Sequence, residues 1–214
     1  MSTTKGGVLV VDHPVVADRL RRLRDRNTTP PLFRQAVAQL SALVAYEALR
    51  ELETEPVVID TPVATGVTVL ELCENVLLVP ILRAGLGMIP PVQELLVHSD
   101  VAHIGLRRDE ATLVPEVYLN RLPADLSTRR VVVCDPMLAT GGSLVEACDL
   151  VKRHGATRVS ALCLIASRPG LARVRAAHPD VPIACAAIDP DLDERGFIMP
   201  GLGDAGDRLF GPPT

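Results

Sequence analysis

The chain has 214 residues, 48% of them hydrophobic and 22% charged, a length that suits one domain with a core needing neither disulfides nor metals. Its 22 basic and 26 acidic residues sum to −4, which excludes retention on nucleic acid or anionic lipid by overall charge. Aromatic residues make up 2% and Trp is absent, so a single-strand binder built on stacking platforms is excluded as well.

In chain order, VLVVDHP predicts a short strand stopped by Pro14, far too short for a signal peptide or a membrane span. A soluble, cytoplasmic protein is expected. Val16, Leu20 and Leu23 follow at helical spacing with Arg19, Arg21, Arg22, Arg24 and Arg26 between them. Asp18 and Asp25 interrupt the basic run, which reads as a solvated amphipathic face rather than a nucleic-acid patch. A longer helix is predicted near Leu32–Leu52, with Val37, Leu40, Val44 and Leu49 on its apolar side.

From about residue 56 strands alternate with helices. VTVLELC and NVLLVPIL are apolar strands, residues 90–98 are helical, VAHIGL is a strand, and residues 107–130 carry a weak hairpin signal. Then come VVVCD, a Gly-containing loop, a helix over Leu144–His154, the strand VSALCLIA, a helix near Leu171–Ala177 and the strand VPIACAAID. Continuous apolar strands separated by helices predict an α/β fold with a mostly parallel sheet covered on both faces. The tail GFIMPGLGDAGDRLFG holds too much Gly and Pro for a regular element and is expected as a loop folded on the body. The run DPDLDE before it reads as a solvated acidic loop, because Glu194 occupies the glycine position of a calcium loop. Cys73, Cys134, Cys148, Cys163 and Cys185 form no CxxC pair and are expected as reduced thiols, mostly buried.

The strongest local signal is VVVCDPMLATGGSLVEACDLVKRHGA. A buried strand ends in Asp135, Pro136 stops its ladder, and Thr140, Gly141, Gly142 and Ser143 open a helix. At the carboxyl edge of an α/β sheet such a loop is where ligands bind. Free N–H groups at a helix start suit a phosphate monoester, and an acid at the strand tip suits sugar hydroxyls or a hydrated metal. A plain turn with an N-cap competes with that reading. No Gly-Lys-Ser/Thr follows, so this is not a Walker loop. Arg83, ending the strand of VPILRAGLGM, is a candidate anion clamp or a surface arginine in a tight turn. Gly201-Leu202-Gly203-Asp204-Ala205-Gly206 is a literal GxGxxG, but only eight residues follow it, too few for a dinucleotide fold.

These segments together resemble the type I phosphoribosyltransferases, and the uracil phosphoribosyltransferase family in particular. DPMLATGGS is similar to that family's ribosyl-phosphate motif, with Asp-Pro where the wider superfamily carries two acids. VPILRAGLGM resembles its pyrophosphate loop, and GLGDAGD with Ile198 resembles its uracil-binding tail. His13-Pro14, Phe33-Arg34, Tyr46-Glu47 and His178-Pro179-Asp180 extend the likeness from about residue 10 to 211. Leu106-Arg107-Arg108-Asp109-Glu110 resembles the mobile arm, with Arg107 for an aromatic and Asp109 for Asn. Phe197 stands where Tyr is usual, and Arg168-Pro169-Gly170 where Pro-Glu-Gly is usual.

The resemblance implies a type I phosphoribosyltransferase fold in a single domain, 1–214. A small hood would come from about 1–30 and 189–214, with a β-arm beside it. It implies pyrimidine salvage: uracil and phosphoribosyl diphosphate would give UMP and diphosphate. Phosphoribosyl diphosphate would be held by Arg83, Arg108, Asp135, Pro136, Met137, Leu138, Ala139, Thr140, Gly141, Gly142, Ser143 and Asp204. Uracil would be read by Ile198, Gly203, Asp204 and Ala205, and Asp204, Arg83 and Asp135 would carry the catalysis. Mg²⁺ would arrive on the substrate diphosphate, without a dedicated protein metal site. A homodimer or larger assembly, and GTP as an effector of some members, are further implications; nucleic acid and membrane are not partners. The alternative is an RNA-binding pyrimidine-operon regulator or a nucleotide sensor on the same fold.

Overall fold

The computed structural model describes residues 3–5, 7–108 and 115–211. The chain opens with an antiparallel pair, β1 (Thr3–Lys5) and β2 (Val8–Val10). Strand β2 ends at Val10, and helix α1 (Pro14–Arg24) starts at Pro14, capped by His13 Nδ1, which accepts the Val15 N–H at 3.1 Å. Helix α2 (Pro30–Ala48) buries Phe33, Val37, Leu40, Ser41 and Val44 at helical spacing. A hairpin, β3 (Thr54–Thr61) with β4 (Ala64–Leu72), then stands apart as its own two-stranded sheet. Only its second strand was expected. Both its faces are largely exposed, so its residues carry little of the alternation that marks a half-buried strand.

The central strand β5 (Val76–Leu82) leads through a 3₁₀ turn (Ala84–Met88) to α3 (Ile89–Leu95). Strands β6 (Asp100–Val101) and β7 (Ile104–Arg108) pair in succession along one side of β5, and β8 (Pro115–Asn120) returns antiparallel to β7. Next come β9 (Arg130–Cys134), β10 (Met137–Leu138), α4 (Gly142–Arg153), β11 (Arg158–Leu162), β12 (Ile165–Ser167) and α5 (Arg168–Ala177). The chain closes with β13 (Ile183–Cys185), β14 (Ala187–Asp189), β15 (Asp191–Leu192), β16 (Ile198–Met199) and α6 (Ala205–Phe210).

Among the described residues the main sheet has the order β1-β2-β13-β11-β9-β5-β7-β8, and all of its pairings are parallel except β1/β2 and β7/β8. Its side chains alternate. Leu77, Val79, Val131, Val133 and Ile183 pack toward α4 and α5, while Leu78, Val132, Cys134, Leu162 and Ala184 pack toward α1, α2 and α3. No helix among the described residues is long and apolar enough to cross a membrane.

The runs expected as single strands at 159–166 and 181–189 are each broken in two. Their second halves, β12 and β14, join β10 in a separate parallel sheet. The break starts at Pro136, which has no N–H to give. The N–H groups of Leu164 and Ile165 both donate to Pro136 O at 3.0 and 3.1 Å, and those of Ala186 and Ala187 both donate to Leu164 O at 3.0 and 3.2 Å. Two residues facing one is the geometry of a bulge, and it turns the strand tips away from the main sheet.

Two further expectations are corrected. The tail does contain a regular element, α6, because Asp204 Oδ1 accepts the Asp207 N–H at 2.9 Å and so caps a helix in a Gly-rich segment. The run DPDLDE is not wholly solvated: Asp189 is only 4% exposed and binds Arg24, which therefore leaves the solvated face assigned to it. The buried carboxylate is tolerated because a guanidinium meets it with two hydrogen bonds.

Candidate active site

The break in the sheet builds the first part of the site. The Asp135 N–H makes the last ladder bond of that strand, to Leu162 O at 3.1 Å, and its carboxylate then stands at the strand tip. Burial pushes that carboxyl up to about 7, partly offset by the Met137 N–H at 3.4 Å from Oδ1. No cation among the described residues pairs with it.

Beyond Met137 and Leu138 the loop wraps over the start of α5. Ser167 Oγ donates to Ala139 O and accepts the Gly170 N–H at 2.9 Å. A Cβ at Gly170 would lie 2.1 Å from Ala139 O, and one at Gly141 (φ +80) would lie 2.8 Å from Gly170 O, so two glycines let the segments touch. The first helix-type bond of α4 runs from the Val145 N–H to Gly141 O at 3.0 Å. The N–H groups just before it have no helix carbonyl to serve and border a hollow lined by Asp135, Leu138, Ala139, Thr140, Gly141 and Ser143.

Arg83 follows β5 directly, across a cis Leu82–Arg83 peptide. A Cβ at Gly85 would lie 2.4 Å from Cys134 O, so this turn is pressed against the end of β9. The Arg83 guanidinium is half-exposed and pairs with Asp207 Oδ1 at 2.9 Å. Asp207 was not anticipated from sequence, since its only signal is its place within the tail motif. Arg108 ends β7; its side chain, and all of Asp109 and Glu110, lie outside the described residues.

A second cleft completes the site. It is lined by Ala84, Met137 and Ala139 on one side, and by Phe197, Ile198, Gly203, Asp204, Ala205 and Gly206 on the other. All four residues assigned to the base therefore line one cavity with two of the phosphate-loop residues. Met137 and Ala139 border both cavities, so the two hollows lie against the same loop. Arg195 also lines this cleft, its guanidinium 5.5 Å from the centre of the Phe197 ring; sequence reasoning gave Arg195 no role.

Nucleophilic cysteine chemistry has no support here. Burial pushes the thiols of Cys134, Cys148 and Cys185 up to about 12 and that of Cys163 well above its ordinary value. What the geometry offers instead is a helix N-terminus for an anion, an arginine for a second anion, an acid at the strand tip, and a neighbouring slot walled mainly by backbone and small side chains.

The family model for uracil phosphoribosyltransferase matches residues 10–212. A uracil phosphoribosyltransferase of Symbiobacterium thermophilum is 50% identical over 204 residues, covering 95% of this chain and 98% of that protein. One from Pseudarthrobacter chlorophenolicus is also 50% identical, over 205 residues, with 95% and 97% covered. Among solved structures, a protein of Aquifex aeolicus superposes with a TM-score of 0.90 at 33% identity, covering 95% of this chain and 98% of that one. A purine phosphoribosyltransferase of Pyrococcus horikoshii shares the fold, with a TM-score of 0.52 at 17% identity over 72% of this chain and 84% of its own. Carried by near-complete coverage and by the motifs that meet in the cleft, this chain belongs to the uracil phosphoribosyltransferase family.

Proposed function

We propose that the protein transfers the phosphoribosyl group of phosphoribosyl diphosphate to uracil, giving UMP and diphosphate. The observation that carries this reading is the cleft in which Met137 and Ala139 of the phosphate loop face Ile198, Gly203, Asp204 and Ala205 of the tail. A donor sugar and an acceptor base would meet there.

In this reading the N–H groups at the start of α4, with Thr140 and Ser143, hold the 5′-phosphate, and Asp135 orients the ribose hydroxyls. The bond from uracil N1 to C1′ forms as the bond from C1′ to the diphosphate oxygen breaks. Negative charge gathers on the leaving diphosphate, where Arg83 and Arg108 neutralise it. The proton on N1 has to leave, and Asp204 in the base loop assists. Among the described residues no three His, Cys, Asp or Glu side chains stand together as a metal cage. Asp135 would offer one hard oxygen ligand to a divalent cation brought in by the substrate diphosphate. Bound in that way, Mg²⁺ would add positive charge against the diphosphate.

The domain reading belongs to the same proposal: one phosphoribosyltransferase domain in a cytoplasmic enzyme, with a hood from about 1–30 and 189–214. Assembly into a homodimer or larger is supported by Val58, Val63, Leu70 and Leu72, apolar side chains left exposed on the β3–β4 hairpin. The regulatory alternative gains nothing from α1, where Arg19, Arg21 and Arg22 all face Asp18.

The test is UMP formation from uracil and phosphoribosyl diphosphate with Mg²⁺, run beside cytosine, hypoxanthine and orotate, with and without GTP. Sedimentation of the same sample reads the assembly. Turnover of uracil above the other bases is expected; turnover of another base but not of uracil overturns the reading.

A further inference from the structure

The base loop begins at Gly201, which adopts φ +59 and folds back so closely that a Cβ there would lie 2.0 Å from Ile198 O. Both backbone polar groups of Gly201 are taken by one ion pair. The Gly201 N–H donates to Asp189 Oδ2 at 2.9 Å, and Gly201 O accepts from Arg24 Nη1 at 2.9 Å. Arg24 and Asp189 are themselves joined by two bonds of 2.7 Å. The next carbonyl, Leu202 O, accepts from Arg208 Nη1 at 2.8 Å. Arg208 in turn donates to Leu23 O and Asp25 O and lies over the Phe33 ring, 4.1 Å from its centre. Two arginine forks thus fasten successive carbonyls of the tail to the last turn of α1, and neither Arg24 nor Asp189 lines the cleft.

A base recognised by main-chain N–H and C=O groups is read only as accurately as those groups are placed, since displacements near 1 Å cost about a hundredfold. Glycines at 201, 203 and 206 give the loop little stiffness of its own. We infer that Arg24 and Asp189 are positioning residues for base selection: by gripping both sides of the Gly201 peptide they fix Gly203–Ala205 against the incoming ring. The inference rests on the proposed assignment of that cleft to the base.

Arg24→Lys and Asp189→Asn in the full chain test it. Lysine keeps the charge opposite Asp189 but has no fork to reach the Gly201 carbonyl as well; asparagine keeps the shape and loses the charge. The expected result is a KM for uracil raised about tenfold or more, with a clearly smaller rise in the KM for phosphoribosyl diphosphate, most of whose assigned contacts lie outside the tail. The ratio of kcat/KM for uracil over cytosine is expected to shrink by a similar factor. Where Asp189→Asn does not fold, Arg24→Lys carries the test. A folded variant that melts earlier yet keeps the uracil KM and the base ratio overturns the inference, as does an equal rise in both KM values. Amide hydrogen exchange supplies a readout independent of turnover. Exchange at 203–206 is expected to rise in Arg24→Lys while 142–147 stays unchanged, and unchanged exchange at 203–206 overturns the inference. A wild-type enzyme that makes no UMP refutes the assignment of the cleft while the exchange result still decides the role of Arg24.

Discussion

Two carboxylates at the site sit in different surroundings, and each invites its own measurement. Asp135 carries an ordinary carboxyl raised to about 7 by burial. The native chain therefore holds this proton more tightly than the unfolded one between about pH 4 and pH 7. Its contribution to stability falls as pH rises through that window and is flat above it. Asp135→Asn removes the cost of burying the charge. It is expected to melt at higher temperature than wild type at pH 8, with the gap closing toward pH 4, while UMP formation drops; a gap independent of pH would contradict the assignment. Asp204 is instead the N-cap of α6. Asparagine caps a helix about as well as aspartate, so Asp204→Asn isolates the charge. A fall in kcat of about a hundredfold with an unchanged melting temperature is expected, and a loss below about threefold removes Asp204 from proton transfer. Both acids were legible in sequence as chemistry, one at a strand tip and one in a tail motif. The cap was not, because a six-residue helix leaves no periodic pattern to read.

At the scale of elements, the phosphate loop depends on a backbone-to-backbone contact between β10–α4 and the start of α5. Gly170→Ala would place a methyl group 2.1 Å from Ala139 O, a conflict that no rotamer relieves. Thermal and urea melts are expected to show a loss of about 1–3 kcal/mol, and kinetics a raised KM for phosphoribosyl diphosphate, because the displaced residue belongs to the loop. The segment 131–154 was legible because strand, glycine loop and amphipathic helix each carry a local signature: the predicted Leu144–His154 lies within two residues of the observed Gly142–Arg153. The split of 159–166 was not. Cys163 faces one core and both Leu164 and Ile165 face the other, so the run stays apolar while its alternation slips. Only the pairing with Pro136 exposes the slip, and pairing is not written in either strand alone.

At the scale of the whole molecule, among the described residues a carboxylate held by arginine stands near each of two opposite edges of the sheets. Glu74, its side chain 2% exposed, binds Arg130 and Arg158 where β9 and β11 begin, on the edge away from the site. Glu74→Ala removes the shared partner of two partly exposed arginines, Arg158 keeping Glu53 at 3.8 Å, and is expected to cost about 1–2 kcal/mol in urea unfolding, with both KM values unchanged. Asp189 does the corresponding work at the site edge, and there the same kind of change is expected in the KM for uracil. The net charge of −4 could reveal neither, since each acid looked like one more surface charge until the fold brought its arginine to it. Arg24 and Asp189 lie 165 residues apart. Contacts closing so long a loop form late, after the entropy of the intervening chain has been lost, whereas the contact of Ser167 with Ala139 that holds the phosphate turn spans only 28 residues. During renaturation, then, affinity for the sugar phosphate should return before the ability to tell one base from another, and selectivity is the last property this chain acquires.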